Sequence, residues 1–263
     1  MAGNPIPFEK RRFRTAAAHY LSGRPAYAPR LIDRVAELCA VKRPARLLDL
    51  GCGPGQLAKA FAGFAGEVLG IDPEPEMLRL ARSDAPANVT FIEGSSYDIG
   101  PALGAFRLVT MGRSFHWMDR EDTLRRLDSM VEPGGAVALF HDHHPNFPEN
   151  ALRRAFLEIT ERYATDDAFR SWKRGPDWTP HVTVLLNSVF RQLEEISVIE
   201  RRVMSSSGLV DRALSMAPTS RAKIGDRADA MVAEIEALAT RLENDGPLTE
   251  IIASTALIAR RAD

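Results

Sequence analysis

The segment Leu47-Leu48-Asp49-Leu50-Gly51-Cys52-Gly53-Pro54-Gly55 leaves little freedom in what this chain can fold into. An apolar run that reads as a buried strand enters a glycine-rich turn, and a helical pattern follows. Glycine lets the backbone adopt positive φ and approach a ligand closely, while free N–H groups at a helix start favour a negative ligand group. At the end of the next strand stands Asp72, 21 residues after Gly51, where an acid can accept hydrogen bonds from both hydroxyls of a ribose. Taken singly, the glycines make a tight strand-to-helix connection and Asp72, followed by Pro73, makes a helix cap. Taken together they point to one nucleoside-containing cofactor. The glycines fall as G-x-G-x-G rather than G-x-G-x-x-G, which disfavours a nicotinamide dinucleotide.

Around this segment, from about residue 27 to 140, short β-rich runs alternate with amphipathic helical stretches, the pattern of a parallel sheet covered on both faces. The strand candidates are Arg46 to Leu50, Glu67 to Ile71, Val89 to Ile92, Phe106 to Met111 and Ala136 to Phe140, the last entered after Pro133-Gly134-Gly135. Beyond His141 the alternation stops, and Phe147, Phe156, Tyr163, Phe169, Trp172 and Trp178 mark a helical, aromatic-rich insertion. Runs at Ile196 to Met204 and Leu248 to Ile258, separated by a helix, read as a closing pair of edge strands. The expected organisation is an N-terminal lid over 1–26, an α/β core over 27–144, a helical cap over 145–192 and the rest of the core over 193–263.

Composition narrows the partners. With 34 Lys plus Arg against 35 Asp plus Glu the net charge is −1, and only Lys10, Arg11, Arg12 and Arg14 form a dense basic cluster. This removes the broad positive field that non-specific nucleic-acid binding uses. Two cysteines, Cys39 and Cys52, give neither a disulfide framework nor a zinc pair, so a reducing compartment and no metal are expected. The longest apolar stretch, Ile251 to Ala259, is far short of the roughly 18 residues that span a bilayer. A soluble, cytoplasmic protein, monomer or homodimer, is expected.

The glycine segment resembles motif I of the class I S-adenosylmethionine-dependent methyltransferases. Val131-Glu132-Pro133-Gly134-Gly135 resembles the family's turn before its fifth strand, with Val131 in place of Leu. Within that superfamily, Tyr20-Leu21-Ser22-Gly23-Arg24-Pro25-Ala26-Tyr27 and Ser114-Phe115-His116-Trp117-Met118-Asp119 are similar to elements of the ubiquinone-biosynthesis and trans-aconitate type. The resemblance implies a Rossmann-like, seven-stranded, mostly parallel sheet and S-adenosylmethionine as cofactor. Asp49, Gly51, Cys52, Gly53 and Gly55 would then surround its methionyl part, with Tyr20 and Arg24 beside it. Asp72 would hold the ribose, Pro73 and Met77 would flank the adenine, and Ser95, Ser96 and Tyr97 would pass near the ring edge. Met111 and Gly112 would lie beneath the cofactor. Many members carry Gly-Asp-Ala where this chain has Gly94-Ser95-Ser96, so the Asp contact to the adenine amine does not carry over.

The sulfonium makes its methyl group electrophilic, so the protein supplies alignment, worth roughly 7–11 kcal/mol, and a base where the acceptor arrives protonated. His116 is the first candidate base; the alternative is that it and Trp117 form a corner walling the pocket. His141 and His143 are further candidates, since alternate residues of an extended segment share a side. Trp117 and His144 are expected to contact the acceptor. Arg113, like Arg24, is expected either to meet an acceptor carboxylate or to make a salt bridge at the sheet rim. Cys52 reads as a packing residue. Gly112-Arg113-Ser114-Phe115 departs from the Asn/Asp-Pro-Pro-Tyr/Phe motif of nucleobase and protein-amide amino methyltransferases. A small-molecule acceptor and O-methylation are therefore expected, with N- or C-methylation, or cofactor binding without transfer, as alternatives.

Overall fold

The computed structural model describes residues 17–166 and 168–262. Seven strands, β1 (Arg46–Leu50), β2 (Glu67–Asp72), β3 (Val89–Glu93), β4 (Phe106–Gly112), β5 (Val131–His143), β6 (Gln192–Val203) and β7 (Thr249–Arg260), form one sheet in the order β3-β2-β1-β4-β5-β7-β6. The first five are parallel, and β7 runs antiparallel to both β5 and β6. The strand order reverses between β1 and β4, so their carboxyl ends open the crevice in which open α/β sheets take ligands.

Helices α1 (Ala17–Gly23) and α2 (Pro29–Leu38) precede β1, and α3 (Gln56–Phe61), α4 (Pro75–Arg82) and α5 (Arg120–Asp128) link the parallel strands. Between β5 and β6 the chain forms α6 (Ala151–Tyr163), α7 (Ala168–Arg174) and α8 (His181–Leu186). Between β6 and β7 it forms α9 (Ser206–Ser215), α10 (Arg221–Ile224) and α11 (Arg227–Glu243). The start of α5 is set locally: Asp119 accepts a hydrogen bond from the Asp122 N–H at 3.1 Å, and Glu121 and Asp122 complement the helix dipole.

Successive residues of β1 point to opposite faces and so feed two cores. Leu47 joins Leu31, Val35, Phe61 and Phe140 in one; Leu48 and Leu50 join Met111, Leu124 and Leu127 in the other. A third cluster, including Phe156, Leu209, Met231, Ile235 and Leu238, ties α6 and α11 to α9.

Two expectations change. The strand expected at Ala136 to Phe140 is the 13-residue β5, which runs through Gly134-Gly135 instead of starting after them. Its register against β4 jumps from Phe106↔Val131 to Leu108↔Ala136, a bulge that absorbs the glycine turn, and its far end is extended to His143 by pairing with β7. The closing strands are also not both edges. β7 lies inside the sheet, as its almost continuous burial from Ile252 to Ala259 demands, and only β6, with exposed Glu194, Glu195 and Arg201, borders solvent. The basic cluster and the first part of the expected lid, residues 1–16, lie outside the described residues. Among the described residues no helix is long and apolar enough to cross a membrane.

Candidate active site

The glycine turn leaves β1 with Gly51, Gly53 and Gly55 at φ +70°, +53° and +81°. A Cβ on Gly51 would lie 2.5 Å from the Ser114 side chain and one on Gly55 2.6 Å from the Phe91 ring, so these two close the turn against the sheet. A Cβ on Gly53 would meet nothing within 4 Å. Gly53 thus combines a left-handed backbone with an open face. Asp72 braces this loop from β2: one carboxylate oxygen accepts from the Gly53 N–H at 2.8 Å and the other from the Glu74 N–H at 2.9 Å. Burial pushes the Asp72 carboxyl up to about 6, against the two N–H bonds that favour its charge.

Above the turn lies a cavity of about 940 Å³, at the upper end of the small-molecule range. Gly51, Gly53, Asp72, Pro73 and Met77 form one end of it, with Ser95 and Ser96 alongside and Met111 and Gly112 on the floor. Tyr20 and Arg24 line it from α1 and the residue that follows. Arg24 donates to the Ser215 carbonyl at 3.4 Å, while its Nε is buried without a partner among the described residues. His116, Trp117, His141 and Arg113 also reach the cavity.

Six expected site residues do not line it. Asp49 is buried beneath the turn, accepting from the Ala58 N–H at 3.0 Å and the Thr110 hydroxyl at 2.9 Å, and burial raises its carboxyl to about 7. It positions the loop from below. Cys52 is buried, its sulfur 3.1 Å from where a Cβ on Gly70 would sit, so it packs the turn against β2. Gly55 faces Phe91, and Tyr97 is turned outward, 44% exposed. His141 and His143 do share a side of β5, their rings 6.1 Å apart and stacked at 27°, but only His141 reaches the cavity. His144 diverges and lies 2.6 Å from Glu250, which also holds the buried Arg212. That bond turns it away from any acceptor.

Arg113 takes the second of its two expected roles. It pairs with Asp142, donates to the Pro25 carbonyl at 2.8 Å and to Gln56 at 3.3 Å, and lies 4.5 Å over the Tyr27 ring. The rim salt bridge is the observed arrangement, and it leaves no open fork for an acceptor carboxylate. Burial would raise the Asp142 carboxyl, but the Arg113 guanidinium outweighs it and holds it below the usual range.

The other end of the cavity is aromatic and basic. His116 sits in a short turn after β4, beside Trp117 at 4.8 Å between ring centroids and stacked at 6.2 Å on His181. Trp178 meets His181 edge-on at 5.5 Å. Burial, followed by the charges of Lys173 and its neighbours, holds the His116 imidazole well below its ordinary value; burial and Arg120 hold His181 at about 3. Arg170 and Arg174, also on α7, both pair with Glu161. Lys173 reaches the cavity with no carboxylate of the described residues bonded to it and approaches the Trp178 ring at 5.8 Å. Sequence reasoning missed Glu74, Lys173 and His181. Of these, only His181 had a usable signal, its position three residues after a tryptophan of the aromatic insertion. The Phe169 side chain lies outside the described residues.

The family model described as "Methyltransferase domain" matches residues 47–135, from the first buried residues of β1 through the bulge of β5. Residues 47–135 are a methyltransferase domain. Over 119 residues the chain is 34% identical to trans-aconitate 2-methyltransferase of Delftia acidovorans, covering 43% of this chain and 42% of that one. Over 151 residues it is 30% identical to malonyl-[acyl-carrier protein] O-methyltransferase of Enterobacter lignolyticus, covering 57% and 59%. The chain spans about half the length of the curated relatives it matches. In fold it aligns with the SAM-dependent methyltransferase of Geobacter sulfurreducens solved with S-adenosyl-L-homocysteine, over 98% of this chain and 99% of that one, at TM-score 0.52 and 15% identity. Residues 47–135 contain the glycine turn, Asp72 and Glu74 together with His116 and Trp117, while Tyr20 and Arg24 precede them. Lys173, Trp178 and His181 follow them.

Proposed function

We propose that the protein is an S-adenosylmethionine-dependent methyltransferase that transfers the methyl group to an oxygen of a small acceptor. The observation that carries this reading is one continuous cavity whose first end is the glycine turn with its braced acid and whose second end is an aromatic chamber around His116. The residues fit the cofactor: Gly53 has room for a ligand against its backbone, and the partnerless Arg24 Nε suits a carboxylate such as that of the methionyl group. When bound, S-adenosylmethionine supplies a methyl group that passes in line to the acceptor as the sulfur keeps the bonding pair.

This chain's residues do the rest. Gly51, Gly53 and Asp72 fix one end of the cofactor, and Met111 and Gly112 support it from the floor. Trp117 and Trp178 exclude water from the chamber. His116 takes the proton of an acceptor hydroxyl, with His141 at the rim as the second candidate. Lys173 offers a counter-charge to an anionic group on the acceptor. The segment 145–192 acts as a cap over the acceptor end, and 1–26 acts as a lid over the cofactor. The same reading has the protein working in the cytoplasm as a monomer or homodimer, without nucleic acid. A second reading, transfer to nitrogen or carbon, draws on His116 itself: burial and nearby cations weaken it as a base, which suits an acceptor with no proton to lose.

Calorimetric titration with S-adenosylmethionine and S-adenosylhomocysteine, beside Asp72→Ala and an NAD control, tests the cofactor. Both adenosyl ligands are expected to bind, at least about tenfold more weakly in the variant, and NAD not at all. No binding by a folded sample freed of copurified ligand ends the reading. Paired hydroxyl and amine acceptors, followed by S-adenosylhomocysteine release, then identify the accepting atom.

A further inference from the structure

The acceptor end holds an imidazole whose two nitrogens can be told apart. His181, the first residue of α8, lines the cavity, and its Nδ1 lies 3.3 Å from Nη1 of Arg120 on α5. A guanidinium has donors only, so Nδ1 accepts in that bond and carries no proton. Burial first, then the charges of Arg120 and Lys173, hold the imidazole at about 3, so the ring is neutral and its one proton sits on Nε2. The fold has chosen the tautomer: the far nitrogen of His181 is an N–H donor, with no acceptor among the described residues. Arg120 is itself anchored. Buried, it donates from Nη1 to the Thr179 carbonyl at 2.6 Å and lies 4.3 Å over the Trp178 ring.

Positive charge is in excess around this donor. Arg170, Lys173 and Arg174 of α7 line the cavity beside one acid, Glu161, and Glu161 takes both arginines. Lys173 is left over. It shares the Trp178 indole with His181, its Nζ 5.8 Å from the ring centroid and the imidazole edge-on at 5.5 Å. Phe115 and His116 approach the imidazole at 5.1 and 6.2 Å, so the walls around the two donors are flat and suit a planar ligand. Two donors, one cationic and one neutral, match the two oxygens of a carboxylate.

We infer that His181, through its Nε2–H, and Lys173 together anchor a carboxylate on a planar acceptor, with Arg120 as the positioning residue that fixes the imidazole. This names a binding residue and a ligand class for the acceptor end and rests on the reading of that end given above. The anchored carboxylate is not the group that is methylated. Positive charge and hydrogen bonds draw electron density from its oxygens and lower their nucleophilicity, so the accepting atom lies elsewhere on the molecule, on the part that reaches toward Met111 and Gly112. His181 also cannot be the base, because its proton-free nitrogen is already engaged by Arg120.

The test titrates the full chain by calorimetry with trans-cinnamate, its neutral counterpart cinnamamide, and phenyl phosphate, each with and without S-adenosylhomocysteine. Wild type, His181→Phe, His181→Gln and Arg120→Met are compared, and the histidine side-chain nitrogens are followed by NMR, those of His181 being assigned by their loss in either His181 variant. Wild type is expected to bind cinnamate at least about tenfold more tightly than cinnamamide, to show a protonated Nε2 and a bare Nδ1 at His181, and to shift the Nε2 signal when cinnamate is added. His181→Phe keeps a flat ring and is expected to weaken cinnamate about tenfold and cinnamamide less than about threefold. His181→Gln, whose amide offers a donor near the place of Nε2, should restore most of that loss. Arg120→Met should give a mixture of tautomers and an intermediate loss for cinnamate. Equal losses for both ligands in His181→Phe, a proton on Nδ1 in wild type, or phenyl phosphate bound more tightly than cinnamate overturns the inference. Should His181→Phe not fold, wild type that binds cinnamate no more tightly than cinnamamide is enough to overturn it. Failure of S-adenosylhomocysteine to bind ends the cofactor reading alone, because the carboxylate and tautomer results are also read without it. Tight S-adenosylhomocysteine binding with cinnamate affinity unchanged in His181→Phe ends this inference alone.

Discussion

The two ends of the cavity are built by different means. At the cofactor end, Asp72 and Glu74 lie over a turn whose shape is set by backbone: three positive-φ glycines and N–H groups aimed at a carboxylate. The turn and its two acids come from residues 49–77. The acceptor end is made of side chains, His116, His181, Trp178 and Lys173, brought from α7, α8, the loop between them and the turn after β4. One end is acidic and specified over short range; the other is basic, aromatic and assembled over long range. A backbone-built end tolerates little change of ligand, whereas a side-chain-built end can be refitted without disturbing the sheet.

The difference can be broken most sharply at Gly53. Gly53→Val puts a β-branched residue at φ +53° and fills the open face, so it should abolish measurable S-adenosylhomocysteine binding by calorimetry while the far-ultraviolet circular dichroism stays unchanged. If the ligand still binds, the turn is not the cofactor end. His116→Asn probes the opposite end and should lower kcat by about 10²-fold with S-adenosylhomocysteine affinity unaltered. Equal activity in steady-state assays would leave His116 as a wall of the chamber. Lys173→Met should raise KM about tenfold for carboxylate acceptors and leave the KM of neutral ones alone, because a charge-assisted bond is lost. An equal effect on both acceptor types would contradict the counter-charge role.

The smallest effect is in the pH dependence of stability, where two acids have opposite signs. Arg212 and His144 overcome the burial of Glu250 and hold it at about 2, below the ordinary 4.5. Its contribution is present above 4.5 and is lost as the pH falls toward 2. Asp72, raised to about 6, binds its proton more tightly when folded, so the unliganded protein gains stability from it as the pH falls from above 6 to its ordinary 3.8. Denaturant unfolding between pH 3 and 8 should show Glu250→Gln losing part of the acid-side decline and Asp72→Asn losing part of the gain. Identical slopes in all three proteins would refute both assignments.

What the sequence discloses follows the same division. Gly51, Gly53 and Asp72 are legible because only glycine sits easily at those dihedrals and because strand, turn and acid recur at fixed spacing. His116 is legible from its place after β4. Glu74 is not: next to Asp72-Pro73 it reads as an ordinary first-turn acid, and only the burial of its Oε2 without a donor among the described residues sets it apart. Lys173 and Trp178 belong to a helical segment whose periodicity describes its own packing and says nothing of what it faces. The true length of β5 and the interior place of β7 depend on pairing between His141 and Thr255, a contact that no local pattern announces. Which of its two expected roles Arg113 takes, and the turning of His144 from the cavity, depend on partners, Asp142 and Pro25 in one case and Glu250 in the other, that meet them only in the fold.

Gly23 ends α1 where a Cβ would lie 2.4 Å from the backbone of Asp211 and Arg212 in α9, and the Arg212 side chain donates to the Gly23 carbonyl at 3.2 Å. Tyr20 and Arg24, among the earliest described residues to be synthesised, are thus seated by a helix made nearly two hundred residues later. On the ribosome the glycine turn and the first parallel strands can pair while the cavity is still open, since they need only local sequence. Its N-terminal wall has to wait for α9, and the full extension of β5 waits for β7. Such late, distant contacts are slow to form, so the nascent chain should pass through a stage with a formed sheet and an unfinished pocket.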